Sequence, residues 1–220
     1  MKNRRQFVKL SAGMVAGVGL VLNPWITVVQ NVYAKVKKKL LPANTKMKSL
    51  IMEAPENLDT RNLKPTPLNQ FQTMGKARYK VDLEKWRLKI EGKVKNPIEL
   101  SYTEIKELPS IEREALMICP GFFAQHGRWK GISLKSLLEK AQPEGEIKEV
   151  ICLGEASRDN KVETFSIEEV DSEKVFIAYE VNGETLPEKH GFPVRIVAED
   201  HFGDDWVKYL HTVQIGAKEE

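Results

Sequence analysis

The sequence predicts an α+β domain, rich in strands, with a mixed, barrel-like sheet arrangement and a few short helices. Three observations lead there. Apolar segments of strand length, such as 149–153 and 175–179, recur between polar turns. The turn signals belong to β structure, with Lys95-Asn96-Pro97 and Asn182-Gly183 each set between two apolar runs. Helical periodicity is confined to brief stretches opened by a capping serine. At 220 residues, 41% hydrophobic and 30% charged, the chain has the size and composition of one ordinary domain.

Residues 1–34 read as an address. Arg4-Arg5-Gln6-Phe7 precedes an uncharged stretch from Leu10 to Ala34, the pattern of a twin-arginine export signal. Val32-Tyr33-Ala34 suits cleavage after Ala34. A bilayer crossing needs ~20 apolar residues. Asn23-Pro24, Thr27, Gln30 and Asn31 interrupt this stretch, so it serves as a cleaved signal or, retained, as an anchor. Residues 35–64 follow as a basic, extended linker, with six lysines between 35 and 48. Pro55, Pro65 and Pro67 then mark an extended arm, and the expected domain covers 65–220.

Within that domain Trp86, Leu88 and Ile90 alternate as a strand, and a turn near Asn96-Pro97 leads into a second at 98–100. Ser101-Tyr102-Thr103-Glu104 is a capping box for a short helix ending near Leu108. Residues 115–118 form a buried strand that ends at Cys119 and gives way to an open loop at Pro120-Gly121. Ser133 caps a helix whose Leu134, Leu137, Leu138 and Ala141 share one face. Strands follow at 149–153, 164–167 and 175–179, with a hairpin turn at Asn182-Gly183, and then at 194–198 and 207–215.

Charge narrows the function. Lys2, Arg4, Arg5 and Lys9 account for all the charge of residues 1–34, which leaves 30 basic against 31 acidic side chains in the remainder. Nothing there calls for nucleic acid.

Chemistry centres on Cys119, at a strand end before a Pro-Gly break. Cys152 instead sits inside the apolar run Val150-Ile151-Cys152-Leu153, where a thiol behaves as a small hydrophobe. An exported protein could pair the two as a disulfide, although their settings differ. His126, His190, His201 and His211 would allow zinc, but no ligand spacing supports it. A Cys-His nucleophilic pair also stays open. Near the C-terminus His190, Arg195, a glycine loop at Gly203 and Lys208 form a second group, suited to an anionic phosphate.

Together these segments resemble the molybdopterin-binding domain of the sulfite oxidase family. The resemblance is to its exported bacterial branch, similar to the periplasmic methionine-sulfoxide reductase catalytic subunit. It is carried by TPLNQF at 66–71, WRLKIEGKVKNPIEL at 86–100, Cys119 with Trp129-x-Gly131 and the LKSLL helix, and HGFPVRIV with FGDDWVKYL. It implies a molybdenum ligand at Cys119, a soft thiolate beside the sulfur pair of the pterin. It implies an arm over the cofactor at Asn69 and Phe71, and a phosphate end held by His190, Arg195, Lys208 and backbone near Gly203. Sulfite oxidases proper follow the metal cysteine with Gly-Asn-Arg-Arg, whereas here Pro120-Gly121-Phe122-Phe123 carries no charge. Asp204 and Asp205 stand where the sulfoxide reductases tend to have a basic residue.

The expectation is an exported molybdenum oxidoreductase that transfers an oxygen atom, with sulfoxide-type reduction favoured over sulfite oxidation. His126 and Arg128 are expected as substrate-side polar groups beside Cys119. No haem motif, nucleotide loop or iron-sulfur spacing occurs, so electrons should come from a separate membrane cytochrome or quinone-linked subunit. The twin-arginine machinery would deliver the protein to the periplasm or the outer face of the cytoplasmic membrane. The alternatives are a non-catalytic molybdopterin-binding or assembly module, and a disulfide-stapled exported binding domain.

Overall fold

Serine caps and glycine turns punctuate the chain where the local sequence supplies them. In the computed structural model, which describes residues 37–75, 77, 80–155 and 160–216, one unit extends from Lys38 onward. The expected export signal lies outside the described residues. Among those described, no helix is long and apolar enough to cross a membrane.

In chain order the strands begin with β1 (Lys39–Leu40), β2 (Leu58–Asp59), β3 (Leu88–Gly92) and β4 (Ile98–Leu100). Helix α1 (Tyr102–Glu107) precedes β5 (Ser110–Cys119) and β6 (Phe123–Ser133), and α2 (Leu134–Ala141) follows. Then come β7 (Glu149–Gly154), β8 (Val162–Ser166), α3 (Ile167–Asp171), β9 (Val175–Val181), β10 (Glu184–Thr185), β11 (Arg195–Ala198) and β12 (Leu210–Ile215). Ser101 with Glu104, and Ser166 with Glu169, form reciprocal capping boxes at α1 and α3. Ser133 accepts from the Ser136 amide at the start of α2. The strand-rich α+β architecture is the expected one.

Two five-stranded sheets carry the domain. In one, β10, β9, β6 and β5 lie side by side, and β11 also pairs with β9. In the other the order is β4-β3-β12-β7-β8, with β12 parallel to β3 and the remaining pairs antiparallel. The Asn182-Gly183 turn between β9 and β10 has positive φ at both residues, which Asn and Gly tolerate best.

Strand β6 is the element that periodicity missed. Its sequence, FAQHGRWKGIS, shows no clean alternation, because ten paired positions against β5 and a second partner in β9 bury nearly all of it. Gly131 is required there, since a Cβ would lie 1.8 Å from the Ile177 carbonyl oxygen, beside a register shift at Lys130. The Trp129-x-Gly131 signal is thus a packing feature. The open loop expected after Cys119 is a tight reversal: the Phe122 amide donates to the Cys119 carbonyl (3.0 Å), and Gly121 has φ +78°.

The two faces of the β5–β6 hairpin bury against different partners. Met117, Cys119 and Phe123 belong to the main core, whereas Leu116, Ile118 and Ala124 meet a smaller cluster. That cluster is completed by Leu41, Leu50, Leu58 and Leu63. The linker expected at 35–64 is therefore corrected from Lys38 onward. Its lysines are mostly solvated, but its spaced leucines cover the outer face of the hairpin, each worth roughly 1.5–3 kcal/mol when buried. Leu50→Ala should lower unfolding stability by about 2–5 kcal/mol in urea titrations. A loss within about 0.5 kcal/mol, as for a solvated linker, would contradict this packing.

Candidate active site

Cys119 ends β5 with its side chain on the inner face of the hairpin, 9% exposed. It opens on a cavity of about 250 Å³, and the same cavity is lined by His190, Arg195, Gly203, Asp204, Trp206 and Lys208. The turn at Pro120–Phe122 is pinned from below, because the Gly121 amide donates to the Ile51 carbonyl (2.9 Å).

Arg195 is the structural centre of the opposite wall. Although 4% exposed, its guanidinium donates to the carbonyls of His190 (3.0 Å), Ile196 (3.3 Å) and Trp206 (3.5 Å). It lies over the rings of Trp129 and Trp206, at 5.3 and 5.7 Å. Lys208 donates to the Met74 carbonyl (2.8 Å) and the Thr73 hydroxyl (3.3 Å). His190 packs its ring at right angles on Phe71, and its buried Nε2 has no hydrogen-bond partner.

The arm is held by polar contacts to both sides. The Gln72 amide donates to the Gln125 side chain (2.8 Å), and Thr73 donates to the Lys189 carbonyl (3.0 Å). Farther up, Asn182 donates to the Thr66 carbonyl (2.8 Å), and Thr66 exchanges hydrogen bonds with the backbone of His126. Gly203 closes the other side. Its amide donates to the Ile118 carbonyl (2.7 Å), and a Cβ on it would lie 2.7 Å from the Cys119 Sγ.

The fields follow from this packing. Burial pushes the Cys119 thiol up, Arg195 and Lys208 pull it down, and Asp204 adds to the rise. Burial, then Lys189, Arg195 and Lys208, depress His190 to about 4. A soft sulfur donor, two buried cations, an unpartnered imidazole nitrogen and a glycine too close for any side chain together fit a metal-sulfur group carrying a phosphate.

Of the expected residues, Cys119, His190, Arg195, Gly203 and Lys208 converge on the cavity. Phe71 sits beneath it against His190 and Trp129, while Asn69 lines a separate surface groove with Pro65, Pro67 and Lys189. His126 and Arg128 are corrected. Cross-strand pairing with Leu116 puts His126 on the outer face of the hairpin, fully buried, and burial lowers its pKa. Arg128 is exposed and pairs with Glu112 (3.7 Å). Strand alternation explains both, since even-numbered residues of this stretch face away from Cys119. Their backbones matter instead: the Arg128 amide donates to Asn182, which holds the arm.

Sequence reasoning missed Gln72–Gly75, Met117, Phe123, Gln125 and Lys161 in the lining. Gln125 and Phe123 become legible once β6 is known, because they alternate on the face of Cys119. Both cysteines are free thiols, and no group of three or more His, Cys, Asp or Glu suited to a metal occurs among the described residues.

The family described as an oxidoreductase molybdopterin binding domain matches residues 74–220. The chain belongs to that family. Its cofactor is molybdopterin, and it is a molybdenum-dependent oxidoreductase. An uncharacterized oxidoreductase, YuiH, of Bacillus subtilis (strain 168) is 29% identical over 141 residues, which is 64% of this chain and 70% of that protein. The protein-methionine-sulfoxide reductase catalytic subunit MsrP of Gluconobacter oxydans (strain 621H) is 26% identical, over 70% of this chain and 58% of that one. An NADH nitrate reductase of Lotus japonicus is 26% identical, but this chain spans only 20% of it. The sulfane dehydrogenase SoxCD of Paracoccus pantotrophus shares the fold, with TM-score 0.59 at 21% identity over 86% of this chain and 52% of that one.

The buried His190 sets a pH dependence for the molybdopterin domain without its cofactor. Its ordinary value is near 6.5, and in the fold it is about 4. As pH falls from 6.5 toward 4 the unfolded chain takes up a proton that the folded one refuses. Stability present above 6.5 should thus be lost across that window, by at most about 3 kcal/mol. Urea midpoints measured against pH should show this slope, and His190→Gln should remove it. An unchanged slope in the variant would refute the assignment.

Proposed function

We propose that this domain catalyses oxygen-atom transfer on a small neutral substrate, with sulfoxide-type reduction favoured over sulfite oxidation. One observation carries the reading: the Cys119 thiol shares a cavity with Arg195, Lys208 and the unpartnered His190 nitrogen, next to a turn with no charge. Cys119 would hold the metal, and His190, Arg195 and Lys208 would hold the phosphate of the pterin. Gln72–Gly75 would cover it. Bound there, the cofactor supplies a two-electron metal redox couple that exchanges oxygen atoms.

The residues around the thiol favour a neutral substrate. The uncharged Pro120-Gly121-Phe122-Phe123 replaces the charged segment of sulfite oxidases, and of its residues Phe123 lines the cavity together with Met74. Asp204 adds a negative field beside Cys119 that offsets part of the larger positive one of Arg195, whose charge the pterin phosphate would take up. Reduction of a sulfoxide consumes two electrons and two protons and yields a thioether and water. Those electrons would come from a separate membrane cytochrome or quinone-linked subunit. The G. oxydans relative is named a catalytic subunit, which accords with such a partner. Residues 1–34 support export by the twin-arginine route to the periplasm, as a cleaved or anchoring signal.

Elemental analysis and steady-state assays test this together. Protein isolated from its host should contain molybdenum and reduce sulfoxides faster than it oxidises sulfite. Cys119→Ser should lower turnover at least about a hundredfold, whereas Cys152→Ser should retain it. Equal loss in both variants, or metal-free native protein, would sink the proposal. Molybdenum without turnover on sulfoxides, N-oxides or sulfite would favour a non-catalytic module.

A further inference from the structure

We infer that His201 is a positioning residue that holds the loop lying over the Cys119 thiol. That loop runs from Glu199 to Tyr209 between β11 and β12, and it brings Gly203, Asp204, Trp206 and Lys208 to the cavity. Backbone bonds secure its two ends. The Glu199 amide donates to Lys174 (2.8 Å), and the Ile196 and Leu210 amides donate to Val207 (2.9 Å) and Val194 (3.1 Å). Between those ends the Gly203–Ile118 bond is the backbone tie to the hairpin that carries Cys119.

Side chains tie the loop as well: Asp200 pairs with Lys174 (2.7 Å), Lys208 reaches the arm, and His201 adds the tie to α3. Its Nε2 lies 2.5 Å from Oε1 of Glu169 in α3, and its Nδ1 lies 3.4 Å from Oδ2 of Asp205 within the loop. The ring packs at right angles on Phe165 of β8, at 5.4 Å. Its backbone carbonyl accepts from the Trp206 indole (3.3 Å). One residue therefore fastens the loop between the two sheets to α3 and β8 and braces it internally.

The post on the other side is rigid. Glu169 divides its carboxylate, with Oε2 accepting from the Ser166 amide (2.9 Å) and hydroxyl (2.8 Å), while Oε1 faces His201. Burial works to raise the Glu169 carboxyl, but the hydrogen bonds from His201 and Ser166 hold it below its ordinary value. The capping box of α3 thus fixes the point to which His201 attaches. Gly203, two residues on, is held where a single added methyl would touch the thiol sulfur.

Letting go of His201 should uncover Cys119 and leave the rest of the fold in place. The two cysteines of the chain separate these outcomes, since Cys152 is fully buried in β7 of the other sheet and is exposed only by wider unfolding. Alkylation of the full-length, metal-free protein by iodoacetamide at fixed pH, followed by mass spectrometry of each cysteine peptide, reads both. His201→Ala should speed Cys119 modification by about tenfold, with Cys152 unmodified. His201→Gln keeps a donor for Glu169 and should restore most of the protection. Glu169→Gln should act in the direction of His201→Ala, and it provides the test if that variant does not fold. A Cys119 rate within about twofold of wild type in the variant tested would overturn the inference. So would Cys119 and Cys152 rising together, or a His201→Gln protein modified as fast as the His201→Ala one. The role of the thiol as metal ligand rests on the proposed function. The alkylation rates do not, so metal-free native protein would sink that proposal and leave this one standing.

Discussion

A guanidinium buried beside two indoles has to find acceptors for its N–H groups, and the way Arg195 does so organises the site. Burying a charge is costly unless it is paired or hydrogen-bonded. Here the carbonyls of His190, Ile196 and Trp206 turn toward Arg195, which lies over the edge-to-face pair of Trp129 and Trp206. Three separate pieces of chain are thereby drawn to one point: the short 3-10 turn ending at His190, strand β11, and the loop before β12. Lys208 extends the same logic to the arm through Met74 and Thr73. The cationic wall of the cavity is the result of satisfying these two side chains.

Facing it, the β5–β6 hairpin sets the position of the thiol through register. Ten consecutive pairs run from Ser110 with Ile132 to Cys119 with Phe123. A slip of one residue would send Cys119 outward and bring Ile118 to the cavity. The leucines at 41, 50, 58 and 63 guard against that slip, because they require Leu116 and Ile118 on the outer face. The N-terminal segment thus stabilises the site without touching the cavity. It does so by covering the wrong side of the strand.

The two walls differ in charge, and the difference bears on the chemistry proposed. Arg195 and Lys208 make one side cationic, as a phosphate would require, while Asp204 and an uncharged turn lie near the sulfur. Burial, which raises the Cys119 thiol and depresses His190, keeps both groups neutral without a bound partner. A bound metal and phosphate would reverse both preferences, because each supplies the opposite charge at close range.

Much of the site was legible in the sequence because its chemistry is local. A thiol before Pro-Gly, the His190–Arg195 pair and the Gly203–Lys208 run each declare a residue type at a short spacing, and the structure brings all of them together. The capped helices and the Asn182-Gly183 turn were legible for the same reason, since caps and turns are made by neighbouring residues. What lay beyond the sequence depends on which face a side chain takes. His126 and Arg128 lie near Cys119 along the chain, but β6 turns them outward. Gln125 and Phe123 look ordinary in sequence, but β6 turns them inward. Lysine spacing at 35–48 suggested a solvated linker, yet leucines far apart in sequence bury together against Leu116 and Ile118. Chemical identity is written residue by residue, whereas the direction a residue faces is decided by strand pairing across long separations, and only the folded sheets contain that information.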